Sequence, residues 1–327
     1  MLRFGLLGAG RIGRIHGANV ADSAGARLVA VHDASHEAAK GLAEATGAEV
    51  REAGAILSAG DIDAVLVCTP TDMHAEMIEA AAAAGKAVFC EKPVDLSSDR
   101  IRRTLEKVGA APLMIGFNRR FDPNFAALRA RIGDGLVGEV ELVTILSRDP
   151  SPPPVSYIER SGGLFRDMMI HDFDMARFLL GEEIVSVFAM GSALVDPAIG
   201  KAGDVDTAAV LMRTASGKIC QISCSRRATY GYDQRIEVHG SKGLLKAENV
   251  PETTVVLATE AGITADPVQN FFLERYARAY REELRHFIEA IEGGTAPIPS
   301  GADGLAAGLL ADAADRSWRT GEEVKPG

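Results

Sequence analysis

The sequence predicts an α/β protein: an N-terminal doubly wound parallel sheet is followed by an α+β domain with an open, mainly antiparallel sheet. Two observations predict this arrangement. Short apolar strands alternate with helical stretches up to about residue 118, and longer strands joined by short turns follow. The expected domains are residues 1–118 and 119–327, with the final helix packing back on the first domain. A chain of 327 residues is long enough for two domains.

The first strand, RFGLLG, leads into a glycine-rich turn and a helix. Gly8, Gly10 and Gly13 have the spacing of a dinucleotide-binding fingerprint, and the strand before and the helix after supply its context. Gly8 permits the tight turn, Gly10 lets the backbone approach a pyrophosphate, and Gly13 lets the helix pack on the strand. The first helical residues, Arg11 and Ile12, are expected at the phosphates, where a helix offers free N–H groups.

An acidic residue follows at the distance that this fingerprint requires. The second strand, ARLVAVHD, ends in Asp33, which is 33 − 13 = 20 residues after the last glycine. A carboxylate at this place accepts hydrogen bonds from the adenosine ribose and repels a 2′-phosphate. No arginine follows directly, so we expect NAD rather than NADP. His32 and His36 flank the position and can soften that preference.

Further candidate residues follow two later strands of the first domain. Thr69 and Pro70 come after DAVLVC, and Glu91 and Lys92 come after AVFC. Ligands of doubly wound sheets bind at the carboxyl ends of the strands, so all four are expected at the cofactor edge. The alternative for Lys92 is a surface lysine that merely precedes a proline. His16 and His74 are expected to pack near the cofactor loops rather than to act as acids or bases.

The most informative segment is GGLFRDMMIHDFDMARFLLG, residues 162–181. It places Asp167 and His171 four positions apart on a helical pattern, which turns both side chains to one face. A neutral imidazole can take a proton from an alcohol at neutral pH, and a neighbouring carboxylate can orient it. A structural hydrogen bond is the alternative. Asp172 and Asp174 are expected on the helix surface or at a hinge.

Composition excludes several classes of protein. The formal net charge is −10, and no separate basic patch offsets it, which argues against nucleic acid or an anionic membrane as a partner. No apolar run reaches the ~20 residues that span a bilayer, and no signal peptide precedes the first strand. We therefore expect a cytoplasmic protein with reduced thiols at its four cysteines, Cys68, Cys90, Cys220 and Cys224.

The second half contains long strands with alternating apolar residues, for example EVELVTILSRD, DTAAVLMRT and GKICQISCS. The proline-rich segment SPPPVSYIERSGG, residues 151–163, is predicted to be a loop that precedes the Asp167 helix. Apolar residues fall on both faces of the predicted sheet between residues 205 and 247. Because a large apolar sheet face is rarely left in water, we expect this sheet to pack on its counterpart in a homo-oligomer. Coverage of both faces within one chain is the alternative.

The fingerprint, the CEKP strand end and the GGLFRDMMIHDFD helix together resemble the glucose-fructose oxidoreductase and inositol dehydrogenase family over the whole length. Within that family, the segments GFNRRFDPNF, LSRDPSPPPVSYI, HDFDMARFLLG and RRATYGYDQRIEVHG look most like inositol 2-dehydrogenases. The resemblance implies oxidation of a cyclitol, myo-inositol to 2-keto-myo-inositol, with NAD and without a metal. It also implies a homotetramer.

Carried over residue by residue, the resemblance implies a catalytic set. His171 is the implied proton acceptor, with Asp167 as its partner, and Lys92 is implied beside the nicotinamide, where it binds substrate hydroxyls. The implied lining of the sugar pocket is Arg119, Asp149 and a tyrosine of ATYGYDQ, either Tyr230 or Tyr232.

Three alternatives remain open. Arg119 can instead pair with Asp122 as scaffolding. The enzyme can be a dehydrogenase or reductase of another cyclitol or of a pyranose sugar. A non-catalytic NAD-binding regulator is disfavoured because such a protein needs neither Lys92 nor His171.

Overall fold

The computed structural model describes residues 1–158 and 160–327 in full and residue 159 as backbone only. The strands in chain order are β1 Leu2–Leu7, β2 Ala26–His32, β3 Glu49–Val50, β4 Ala64–Val67, β5 Ala87–Cys90, β6 Leu113–Ile115, β7 Val140–Arg148, β8 Ile184–Ser192, β9 Thr207–Thr214, β10 Ile219–Ser225, β11 Asp233–Gly240, β12 Gly243–Ala247, β13 Val256–Thr259 and β14 Gly262–Ala265. The helices are α1 Arg11–Asp22, α2 His36–Thr46, α3 Ala53–Ser58, α4 Thr71–Ala83, α5 Ser98–Val108, α6 Pro123–Gly133, α7 Val155–Ser161, α8 Gly163–Asp167, α9 Ile170–Leu180, α10 Pro197–Lys201, α11 Phe272–Arg275, α12 Ala277–Glu292 and α13 Gly301–Thr320. A 3₁₀ turn spans Asn118–Phe121.

The chain forms two compact units, and each consists of two segments. Unit 1 comprises Met1–Phe121 with Ala279–Gly308, and unit 2 comprises Asp122–Arg278 with Leu309–Gly327. These units are defined by contacts; the division into domains 1–118 and 119–327 stays a prediction.

Unit 1 contains a parallel six-stranded sheet in the order β3-β2-β1-β4-β5-β6. The strands β4 and β5 are buried at every position, as expected where helices cover both faces of a parallel sheet. Chain order reverses between β1 and β4, and a doubly wound sheet binds its ligand at the carboxyl ends of the strands beside such a reversal. The predicted N-terminal fold is confirmed.

Unit 2 contains a mixed sheet in the order β12-β11-β7-β10-β9-β8. Its strands pair antiparallel except β7 and β10, which run parallel. Burial alternates along β9 and β10: Val210 and Ile222 are buried, whereas Leu211 is 51% and Ile219 is 44% exposed. The predicted open, mainly antiparallel sheet is confirmed, and within a single chain one of its faces carries exposed apolar side chains.

One predicted loop is partly helical. Residues 151–163 were expected to be irregular because of their prolines, but α7 forms within them, with Pro154 at its N-cap. Proline is compatible with the start of a helix because the first N–H groups have no partner inside it. Among the described residues, none of the helices combines the length and the hydrophobicity needed to cross a membrane.

Candidate active site

The glycine-rich turn after β1 cannot accommodate side chains at two of its three glycines. Gly8 has a φ of +99°, and a Cβ there would lie 2.4 Å from the carbonyl oxygen of Cys68. A Cβ at Gly13 would lie 1.8 Å from the carbonyl oxygen of Gly8. The start of α1 therefore rests directly on the turn, which is the role that the fingerprint assigns to these glycines.

The third glycine faces open space. A Cβ at Gly10 would meet no atom within 4 Å, and no side chain caps the N-terminus of α1. Arg11 and Ile12 lie in the first turn of this helix. The uncapped amides and the positive end of the helix dipole suit an anion, so the geometry fits the pyrophosphate of a dinucleotide.

Asp33 is held rigidly at the end of β2. Its Oδ2 accepts a hydrogen bond of 2.6 Å from the amide of Ala9, and its Oδ1 accepts one of 2.8 Å from the amide of Ser35. These contacts tie the carboxylate to the glycine-rich turn. Its negative charge is thereby fixed near the place expected for the ribose, which favours a free 2′-hydroxyl over a 2′-phosphate.

The carboxyl ends of β4 and β5 are joined by one histidine. His74 of α4 lies with Nε2 2.7 Å from the carbonyl oxygen of Thr69 and with Nδ1 2.7 Å from that of Pro93. The Thr69 hydroxyl is buried with no hydrogen-bond partner among the described atoms, so it can serve a bound ligand. Lys92 follows β5 at the same sheet edge and is half-buried. The prediction that His74 packs near the cofactor loops agrees with these contacts.

Asp167 and His171 do not share one helix, contrary to the prediction. Asp167 is the last residue of α8, His171 is the second residue of α9, and Met168 and Met169 separate the two helices. Asp167 accepts hydrogen bonds from the Tyr157 hydroxyl at 3.0 Å and from the buried Arg226 guanidinium at 3.2 Å. The contact between Asp167 and His171 stays a prediction.

The structure corrects the expectation for two further aspartates of α9. Asp172 and Asp174 are fully buried and are not on the helix surface. Burial raises the pKa of the Cys220 thiol on β10, and the negative charge of the nearby Asp172 raises it further. A thiol with a raised pKa is a poor nucleophile, so Cys220 acts as a buried apolar residue.

The residues expected to line a sugar pocket differ in exposure. Tyr230 is 50% exposed, whereas Tyr232 is buried with its ring at a right angle to that of Tyr276. Arg119 is buried in the 3₁₀ turn of unit 1, and Asp149 follows β7 and is half-buried.

Asp122, the residue considered as a scaffolding partner of Arg119, is bound by a different arginine. Asp122 caps α6 by accepting from the amides of Asn124 and Phe125, and its carboxylate is paired with the buried guanidinium of Arg275. A buried aspartate is therefore neutralised by a guanidinium from later in unit 2.

Sequence reasoning missed a charged network around Tyr230. The Tyr230 hydroxyl donates to Asp233 at 2.6 Å and accepts from Arg148 at 2.9 Å. Burial acts to raise the pKa of Asp233, but hydrogen bonds from Arg235, Tyr230 and Asn249 outweigh it and lower the pKa to about 2. Arg148 precedes Asp149 in the segment LSRDP, which was the available signal.

Fold and site together define a dinucleotide-dependent oxidoreductase, and comparison with known proteins agrees. A family model described as an oxidoreductase family with an NAD-binding Rossmann fold matches residues 2–118. The model of the GFO/IDH/MocA C-terminal domain matches residues 125–246. The chain therefore belongs to the GFO/IDH/MocA oxidoreductase family and binds NAD, which confirms the resemblance, the enzyme class and the cofactor predicted from the sequence.

Similarity to individual members extends over the full chain. An inositol 2-dehydrogenase of Rhizobium meliloti (strain 1021) is 61% identical over 97% of this chain and 96% of its own length. A myo-inositol 2-dehydrogenase of Thermotoga maritima is 48% identical over 99% of this chain and 98% of its own. The crystal structure of a putative myo-inositol dehydrogenase from Sinorhizobium meliloti 1021 has a TM-score of 0.98 and 59% identity, and covers 100% of both chains.

Proposed function

We propose that this enzyme is an NAD-dependent inositol 2-dehydrogenase that oxidises myo-inositol to 2-keto-myo-inositol. The observation that carries the proposal is the 61% identity to an inositol 2-dehydrogenase over 97% of the chain. The aligned region includes both halves of the chain, which supports a shared substrate class because the proposed proton acceptor lies in the second half.

The proposed chemistry needs an acceptor for a hydride and an acceptor for a proton. NAD supplies the first when it is bound. His171, at the start of α9, removes the proton of the hydroxyl that is oxidised, and Asp167 stabilises the imidazolium. The hydrogen bonds from Tyr157 and Arg226 hold the Asp167 carboxylate in one orientation, which supports its role as a fixed partner.

The remaining proposed residues orient the polyol. Lys92 is assigned to substrate hydroxyls at the carboxyl end of β5, and Arg119 and Asp149 are assigned to the ring hydroxyls. Of the two tyrosines, Tyr230 is the better candidate because its hydroxyl is fixed by Arg148 while half of its surface is exposed. Orientation of this kind accelerates a reaction by holding reacting groups in place.

NAD is proposed to be preferred over NADP. The support is the Asp33 carboxylate, which the amides of Ala9 and Ser35 hold in place at the end of β2. A carboxylate so anchored cannot turn away from a 2′-phosphate without losing both hydrogen bonds.

A substrate panel tests the proposed function. NADH formation should be most efficient with myo-inositol, measured as kcat/KM and compared with scyllo-inositol and glucose. Higher efficiency with another cyclitol or with a pyranose would replace the proposed substrate by that compound. Tight NAD binding with no turnover of any polyol would instead indicate a regulator.

We also propose that the exposed face of the mixed sheet is an interface between copies of this chain in a homotetramer. Leu211, Ile219, Leu244 and Met190 are each at least 44% exposed, and the first two lie on neighbouring strands. A sheet face with this many apolar side chains is rarely left in water. The cytoplasmic location remains a prediction, with four free cysteines as its support.

A further inference from the structure

Three ionisable side chains of unit 1 meet beneath the carboxyl end of β5. His16 of α1 places Nε2 2.7 Å from Oε1 of Glu91 and 4.0 Å from Oε1 of Glu283, which comes from α12. One donor atom from each residue lies within 4.8 Å of the others. His16 and Glu283 are fully buried, and only Glu91 reaches the surface, with 12% of its side chain exposed.

The surroundings of this cluster are mainly aromatic. The ring of His16 lies 4.9 Å from that of Phe89 and 5.7 Å from that of Tyr280. Neither carboxylate oxygen of Glu283 has a hydrogen-bond partner among the described atoms, and the same holds for Nδ1 of His16. A buried carboxylate in this state is destabilising if it is ionised.

The formal charges of the three side chains indicate whether the cluster holds an extra proton. The His16 imidazole lies within 4.0 Å of both carboxylates. With a neutral imidazole and both glutamates ionised, these three buried or nearly buried side chains would together carry a charge of −2. One proton on Glu283, the carboxylate without a hydrogen-bond partner, reduces this charge to −1.

We propose that His16, Glu91 and Glu283 form a buried cluster in which Glu283 is a neutral carboxylic acid and His16 positions the Glu91 carboxylate at the cofactor edge. Glu91 is held from two sides. His16 contacts it on one side, and a Cβ at Gly116 would lie 3.2 Å from its carboxylate atoms on the other. Because Lys92 is the next residue, the cluster also sets where the lysine backbone leaves β5.

Two buried thiols near the cluster add no charge to it. Cys68 follows β4 and Cys90 ends β5, and burial, followed by the charge of Glu91, raises the pKa of both thiols well above the usual range. Both therefore remain neutral. Tyr280 contributes its ring from α12. Burial, followed by the charge of Glu91, also raises the pKa of Glu283 well above its usual range.

A proton explains the geometry better than a metal ion does. Two ligands of a tetrahedral zinc ion, each at about 2.0–2.1 Å from the metal, stand about 3.3 Å apart. The observed 2.7 Å between His16 Nε2 and Glu91 Oε1 is a hydrogen-bond distance instead. Metal analysis of the purified enzyme separates the two: a stoichiometric metal that Glu283→Gln abolishes would overturn the proposal.

Infrared spectroscopy of the cofactor-free enzyme tests the proton directly. A protonated carboxylic acid has a carbonyl stretch at higher frequency than a carboxylate. We expect this band at neutral pH in the wild type and in Glu289→Gln, a control on the exposed side of α12, and its loss in Glu283→Gln. A wild-type spectrum without the band, or a band that survives in Glu283→Gln, would refute the assignment.

The pH dependence of stability is a second test that needs neither cofactor nor substrate. Because the folded-state pKa of Glu283 is raised above 4.5, its stabilising effect is complete below about pH 4.5 and is lost as the pH rises towards the folded-state pKa. In that window the folding constant of the wild type falls up to about tenfold per pH unit relative to Glu283→Gln. The gap in unfolding temperature between these two proteins should therefore widen with pH. A difference in unfolding temperature that does not change with pH would refute the proposal, because Glu283 would then affect stability through packing alone.

Positioning of Glu91 is tested by NAD binding, and this part alone rests on the proposed function. His16→Leu should weaken NAD binding roughly tenfold, the equivalent of the lost buried hydrogen bond to Glu91, and His16→Gln should restore most of the affinity because its amide also donates. Equal affinities of the Leu and Gln variants would refute positioning. The infrared and stability results stand or fall independently of which polyol the enzyme oxidises.

Discussion

Replacement of Gly13 by alanine tests how directly the start of α1 rests on the glycine-rich turn. The new Cβ would lie 1.8 Å from the carbonyl oxygen of Gly8 and 2.9 Å from its carbonyl carbon. Real Cβ atoms essentially never approach another heavy atom below 3.0 Å, so the helix must move by at least 3.0 − 1.8 = 1.2 Å. Both partners are backbone, so no side-chain rotation can relieve the clash.

Two effects of this displacement can be estimated. Overpacking of a fitted contact costs about 1–3 kcal/mol, and each kcal/mol lowers the unfolding temperature of a protein of this size by about 2–4 °C. A displaced helix start also breaks an amide hydrogen bond to the charged pyrophosphate, which costs about 1.5–3 kcal/mol, or about 10–10²-fold in affinity. We therefore expect Gly13→Ala to unfold several degrees earlier and to bind NAD about 10–10²-fold more weakly.

Two matched variants separate these effects in thermal melts and NADH titrations. Gly10→Ala should keep the unfolding temperature, because its Cβ meets no atom within 4 Å and its φ of −68° suits any residue, but should weaken binding where the pyrophosphate approaches. Gly41→Ala, in α2, also meets open space and should keep NADH affinity while gaining about 0.5–1 kcal/mol of stability. A Gly13→Ala protein with wild-type stability and wild-type affinity would refute the reasoning.

Four further predictions concern single sites. His171→Ala should lower kcat by about 10²–10⁴-fold without changing NAD affinity, and wild-type turnover would remove this residue from the mechanism. Asp33→Ser combined with Ala34→Arg should shift the kcat/KM ratio towards NADP, whereas equal use of both cofactors by the natural enzyme would contradict our assignment. Asp233→Asn should lower the free energy of unfolding by about 2 kcal/mol at neutral pH, because the pKa of Asp233 is lowered to about 2 in the folded protein. The ionised carboxylate stabilises the fold above about pH 4, and this stabilisation disappears as the pH falls to 2. Denaturant melts at pH 7 and pH 2 measure the difference. Leu211→Arg should dissociate the oligomer in light scattering, and a wild-type mass near the 34.5 kDa of one chain would refute the interface.

Features determined by a few neighbouring residues were predictable from the sequence. The glycine-rich turn, the acidic end of β2 and the strand ends at Thr69 and Lys92 each follow from local geometry and from the parallel sheet order. The alternation of buried and exposed residues along β9 was likewise readable, because side chains of a strand point to opposite faces in turn.

Features that depend on contacts between distant segments were not predictable. The break between α8 and α9 falls at Met168 and Met169, neither of which is a proline or a glycine, so no local signal marks it. The burial of Asp172 and Asp174 runs against the general tendency of charged residues to remain exposed.

The buried cluster beneath β5 also depends on contacts between distant segments and was not predictable. His16 and Glu91 are 75 positions apart, and Glu283 joins them only because α12 packs in unit 1, far along the chain from β5. The sequence suggested a packing role for His16, which the structure agrees with, but carried no signal for its two acidic neighbours.

His74 contacts both cofactor loops and so restrains their movement relative to each other. With one ring nitrogen at the carbonyl oxygen after β4 and the other at the carbonyl oxygen after β5, His74 fixes the spacing of these loops before any dinucleotide arrives. The ordering entropy of the loops is then lost on folding, not on binding. The dinucleotide therefore binds to loops that are already ordered. A substitution of His74 that frees these loops should first make the entropy of binding less favourable, at nearly unchanged enthalpy.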